Sequence, residues 1–156
     1  MTLRLCCAVL LHIATASPAQ AADTTTPTVT AATVCPTPAQ TNQNHLYGTW
    51  AAQFSLSGSG NPPADATLRL GPHPELAQSV RGMLTRADNP APVQVAGDVD
   101  DGDFTLEESA NGRTIDATWI GKVQEGSCGK EIKGTWSNAD DTRSAPFILR
   151  KQGGWQ

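Results

Sequence analysis

A single all-β domain, an eight-stranded antiparallel up-and-down (meander) barrel, is the fold this sequence predicts. Three observations lead there. From Leu46 onward the apolar residues recur with period two in short runs, each closed by a turn cluster, and no run keeps a helical period. The stretch "LYGTW" at 46–50 returns as "IKGTW" at 132–136, with "DATWIGK" at 116–122 between them, so three of the four tryptophans stand in closely similar strand contexts. About eight such runs follow one another, the number that closes into a small barrel. A two-layer β-sandwich is the competing arrangement.

The runs can be taken in order. Leu46, Gly48, Trp50, Ala52, Phe54 and Leu56 share one face of the first strand. Ala66, Leu68 and Leu70 follow the loop SGSGNPPAD. GPHPE breaks the chain, and HPELAQS at 73–79 has room for one helical turn. Val80, Gly82 and Leu84 form the third strand, Val93, Val95, Gly97 and Val99 the fourth. "DDGD" then carries the Asp-Gly signal of a two-residue hairpin. Phe104, Leu106 and Glu108 line the fifth strand; Ile115, Ala117, Trp119, Gly121 and Val123 the sixth; Ile132, Gly134 and Trp136 the seventh; Phe147 and Leu149 the eighth.

A hairpin around residues 125–130 puts Trp119 opposite Trp136, Gly121 opposite Gly134 and Val123 opposite Ile132, all on one face. A slip of one residue loses the match, because it turns one strand over. Large residues beside small ones fill a tapered interior, and an inward glycine lets a strand coil sharply.

The segment ahead of the barrel reads differently. Residues 1–21 have one early positive charge at Arg4, an apolar run and the small-residue site Ala19-Gln20-Ala21. That order is a cleaved secretory signal, with the cut between Ala21 and Ala22, and the run is too short to span a membrane. Residues 22–44, rich in Thr, Pro and Ala, are expected to be a disordered leader. The barrel domain occupies 45–151 and a tail 152–156. Cleavage removes Cys6 and Cys7, and the two cysteines left, Cys35 and Cys128, are expected to pair in an exported chain.

The composition excludes some partners. The formal net charge is −4 and basic residues such as Arg69, Arg81 and Lys133 are scattered singly, so neither nucleic acid nor an anionic membrane surface is expected as a partner; insertion in a membrane is not expected either. No assembled acid, base or nucleophile emerges, and no cofactor or metal is expected. "SCGK" at 127–130 has the letters of a serine acyl enzyme but lies in a hairpin turn. The acidic "DVDDGD" at 98–103 reads as a turn, not a Ca²⁺ loop, because the EF-hand spacing fails. His73 lies in a loop flanked by prolines, and His45 precedes the first strand. Glu108 is the one acid on the inner face, expected at the barrel mouth in water; placed deep, it becomes a candidate functional group.

With its Gly48-Thr49-Trp50 opening strand, its meander and a basic residue on the last strand, the chain resembles the calycin barrels, the lipocalins and avidins. The resemblance implies that Arg150 or Lys151 packs across the tryptophan. It does not extend to the avidin biotin site, where Ala52 takes the place of an asparagine, or to the lipocalin Thr-Asp-Tyr motif. The exported barrel with one disulfide is similar also to small periplasmic protease inhibitors.

These observations lead to a non-enzymatic protein, secreted or periplasmic in a bacterial cell, and to two kinds of partner. One is a small apolar molecule in the interior, lined by Trp50, Phe54, Phe104, Trp119, Trp136 and Phe147. The other is a protein held by loops 57–65, 71–78 and 86–92, as for an envelope hydrolase inhibitor or a surface accessory protein. The oligomeric state stays open.

Overall fold

Burial alternates along the strands because successive side chains leave a pleated backbone on opposite faces. In a computed structural model, residues 35–58 and 60–153 are described; the expected signal, its cleavage site, most of the leader and Trp155 lie outside them. The strands are β1 (Gly48–Phe54), β2 (Ala66–Pro72), β3 (Ser79–Arg86), β4 (Val93–Asp100), β5 (Asp103–Ser109), β6 (Ala117–Val123), β7 (Glu131–Asn138) and β8 (Ser144–Lys151). Each pairs antiparallel with the next, and β1 pairs with β8 as well as β2, which closes the barrel and rules out the sandwich.

The expected register of β6 and β7 holds: Trp119 faces Trp136, Gly121 faces Gly134 and Val123 faces Ile132. The glycines are there for space. A Cβ on Gly134 would lie 2.0 Å from the carbonyl oxygen of Ile120, so only glycine lets β6 and β7 coil this tightly. At the β4–β5 turn, Asp101 and Gly102 both have positive φ, 47° and 81°, as the expected Asp-Gly hairpin requires. Outward positions carry Arg69, Arg81, Glu107, Lys122 and Lys133, all exposed.

Three residues leave the strands to which the alternation assigned them: Leu46 falls in a helical turn ahead of β1, and two more lie past strand ends. Leu56 lies beyond β1 and is 84% exposed, and Ile115 precedes β6 and is 42% exposed. The hydrogen-bond ladder ends before either, and beyond it alternation has no face to bury. Residues 73–78 form bends and a turn, not a helical turn.

Helical turns occur instead at 35–47, most of which was expected to be disordered leader. A 3₁₀ turn spans Pro38–Gln40 and a single turn of α-helix, α1, spans Gln43–Leu46. "TPAQ" at 37–40 is a capping box with proline in the first turn: Thr37 N–H donates to Gln40 Oε1 at 3.0 Å. Asn42 caps α1 by accepting from Asn44 N–H at 3.1 Å. This segment covers the end of the barrel that holds the β2–β3, β4–β5 and β6–β7 turns, here called the base. Leu46 is fully buried there, and the Cys35–Cys128 disulfide ties the segment to the β6–β7 turn. A packed apolar residue and a covalent tie supply what the composition of the segment lacks.

The base is also tied from within. Trp50 Nε1 donates to the carbonyl of Leu46 at 2.8 Å. Lys151, opposite Trp50 in the β1–β8 register, places its ammonium 5.7 Å from the Trp50 ring centre and donates to the carbonyl of His45 at 2.5 Å. Of the two cations implied by the calycin resemblance, Lys151 makes the contact. Arg150, one residue earlier, faces outward to Glu131 at 3.0 Å and Gln53 at 2.8 Å.

Candidate functional site at the barrel mouth

The six aromatic residues expected to line the interior do so unequally. Trp50, Phe104, Trp119 and Phe147 are at most 2% exposed and Trp136 is 3% exposed. Their rings are in contact: Trp119 lies 4.9 Å from Phe147, and Phe104 lies 6.5 Å from Phe147, tilted edge to face. Phe54 is only partly buried and closes the stack at the mouth, 5.0 Å from Trp119. Ala52 beside them is buried. The interior is therefore packed side chain, and these residues meet one another.

Above the packed rings stands a carboxylate. Glu108 follows Phe104 and Leu106 at inward parity on β5 and is 5% exposed, so it lies at the mouth but not in water. Its Oε1 accepts from Trp119 Nε1 at 2.8 Å, Trp136 Nε1 at 2.9 Å and Arg86 Nη2 at 2.6 Å. These donors offset the cost of burying the charge, and the arginine makes the bond charge-assisted. No described donor reaches Oε2, yet no buried side-chain oxygen or nitrogen among the described residues lacks a partner. Glu108 also lines the cleft above.

Arg86 was not singled out in the sequence, although the signal was present. Val80, Gly82, Leu84 and Arg86 share one face of β3, just as Phe104, Leu106 and Glu108 share one face of β5. Two opposite charges at inward parity near the same barrel end are a pair in waiting. In the fold the Arg86 guanidinium also sits 5.6 Å from the Phe54 ring centre and 5.8 Å from that of Trp136. Arg143, on the β7–β8 loop, lies 5.4 Å from the Trp136 ring centre.

Over this set opens a cleft of about 290 Å³, walled by Pro62, Pro63 and Ala64 of the β1–β2 loop, by Asp88 and Asp116, and by Arg143. Loops 57–65 and 86–92 therefore share the mouth, while 71–78 belongs to the base, since successive loops of a meander alternate between ends.

The remaining candidates stay apart. Ser127 Oγ donates to the carbonyl of Gln124 at 2.6 Å, and its neighbour Cys128 is in the disulfide. His73 Nδ1 accepts from the backbone N–H groups of Glu75 and Leu76, at 3.2 and 3.1 Å, as a loop cap. Asp103 pairs with Lys122 on the outer wall.

No family model matches the chain, and none of the curated proteins matches it in sequence. Solved structures that resemble it include a redesigned β-barrel, at 16% identity and a TM-score of 0.48, covering 72% of this chain and 96% of that one. A de novo designed fluorescence-activating β-barrel aligns at 18% identity and a TM-score of 0.44 over 70% of this chain and 96% of that chain. A redesigned β-barrel bound to DFHBI aligns at 14% identity and a TM-score of 0.44, over 69% and 99% of the two chains. The fold assignment rests on the strand pairing itself, and no ligand is carried over from these barrels.

Proposed function

We propose that the chain is an exported, non-enzymatic binding protein whose ligand or partner docks at the loop-rimmed mouth of the barrel. The observation that carries this reading is the division of the interior. From the base up to Glu108 it is packed ring on ring, and the concave, polar surface begins only above it. A small apolar ligand in the interior would find those rings already packed on one another, whereas a group entering the mouth meets a preformed cleft.

The disulfide supports export, because such a bond persists in oxidising compartments. Trp50 under the Lys151 ammonium supports kinship with the calycins. A protein partner is favoured by Leu56, an almost fully exposed leucine on the β1–β2 loop at the same end of the barrel.

The experiment is native mass spectrometry of the protein captured from an extract of its own source, next to an Ala64→Trp variant that places a ring in the mouth. A bound mass on the natural protein, absent from the variant, supports the reading. A bound mass retained by a folded variant refutes it.

A further inference from the structure

If the mouth is the binding surface, as proposed above, its charges name what enters. We infer that the cleft is a pocket for an organic cation, a guanidinium or ammonium group, and that Arg143 occupies the place of that cation until the ligand displaces it.

The charged side chains on the cleft are Arg86, Asp88, Glu108, Asp116 and Arg143. Arg86 is committed: Nη2 donates to Glu108 Oε1 at 2.6 Å and Nη1 to the carbonyl of Ala64 at 3.4 Å. Arg143 is not committed. It is exposed, its guanidinium lies over the Trp136 ring, and among the described residues it makes no ion pair. An arginine over an indole with no carboxylate partner shows what that ring face accepts: a flat or compact cation.

The acids make the same argument. Asp88 is exposed on the β3–β4 loop, and Asp116 uses one oxygen to accept from Ala110 N–H at 2.7 Å. Glu108 lines the same space. With Arg143 swung out, three carboxylates remain around the cleft against the single charge of Arg86, and an anion arriving there is repelled. A cation takes over the ring face and gains the acids. The chain's formal net charge of −4 draws cations to it in general.

Arg143 can leave without disturbing the loop. Its backbone is held on both sides by Asn138, whose Oδ1 accepts from Arg143 N–H at 2.8 Å and whose N–H donates to the Arg143 carbonyl at 3.1 Å. Only the side chain has to move. The same chemistry is offered by a free amine or guanidine and by a basic side chain on a partner protein.

The test is an NMR titration of the indole N–H signals with N-acetyl-arginine methylamide, on the natural protein and on Arg143→Ala. The variant should bind about fivefold more tightly, the gain expected from removing a competing exposed cation–π contact. The Trp136 signal should shift while that of Trp50, at the base, stays in place, and Asp88→Asn should weaken binding. Equal or weaker binding by Arg143→Ala overturns the inference, and so does benzoate binding that Arg143→Ala abolishes, since Arg143 would then be the ligand's own partner. If the mouth-blocking variant loses its bound mass while Arg143→Ala leaves cation affinity unchanged, the mouth stands as binding surface and only this inference falls. Two sources of the cation are separated by repeating the titration with an arginine-containing nonapeptide. Binding tighter than that of the free derivative assigns a protein side chain, and equal binding a small molecule; both keep the cation in the pocket.

Discussion

Trp119 and Trp136 face each other across β6 and β7 and aim both indole N–H groups at the same oxygen of Glu108. The pairing that fixes the register of two strands thus also builds the polar set of the mouth. A slip of one residue would turn one of the two strands over and take its tryptophan away from the carboxylate.

Removing the carboxylate should therefore cost more than removing an ordinary buried side chain. Glu108→Ala leaves Arg86 without its counter-charge and two indole donors without an acceptor. A loss of about 3–5 kcal/mol is expected, read from denaturant unfolding. Glu108→Gln, which keeps an acceptor, should lose less. An Arg86→Met change on top of Glu108→Ala should recover part of the loss, since the uncompensated charge is then gone; additive losses would contradict the pairing.

Gly134→Ala should destabilise the barrel by about 1–3 kcal/mol, because the added methyl meets the Ile120 carbonyl and β6 must move away. Gly153→Ala, with nothing nearby, is the control. Equal stability of the two variants in thermal unfolding would show that the strands have slack.

The disulfide closes a separation of 93 residues, so the chain-entropy account sets its contribution at up to about 4–5 kcal/mol. Reduction should also loosen residues 35–47 ahead of the barrel. The expected sign is a change in the Trp50 indole signal, whose acceptor is Leu46, with Trp136 unchanged. A simultaneous change at both would mean that base and mouth unfold as one unit.

Lys151 gives a pH dependence. Burial, and to a smaller extent the charge of Lys130, holds its ammonium below the usual lysine range. A base with a lowered folded value releases its proton earlier in the native state than in the unfolded chain. The unfolded state then binds more protons, so the stability that Lys151 contributes rises with pH, from its folded value up to the ordinary value of 10.5. Relative to Lys151→Met, the natural protein should gain stability over that window. A difference that stays flat, or narrows as pH rises, would show that burial does not control this group.

Much of the fold is local pattern and was legible. Period-two alternation assigned the inward faces of the strands, and the tryptophan and glycine matches set the β6–β7 register, because a strand has only two faces and a one-residue error inverts both. The Asp-Gly turn was legible for a similar reason, as positive φ at both central positions leaves few residue choices. The lost predictions lie where the ladder stops, at Leu46, Leu56, Ile115 and residues 35–44. In 35–44 the composition points to disorder, while the capping letters "TPAQ" point to a turn.

The site divides in the same way. The sequence by itself determined that Glu108 points inward and that two tryptophans stand together, and it led to the pairing of Cys35 with Cys128 that the structure has. Only the tertiary structure decided that the aromatic interior is filled, that Arg86 reaches Glu108 past the intervening β4, and that Arg143 lies on Trp136. Those contacts join residues far apart in the chain, and their distances depend on how tightly the barrel coils and where its loops land. Alternation gives a side chain its face, but only closure of the barrel gives it its neighbours.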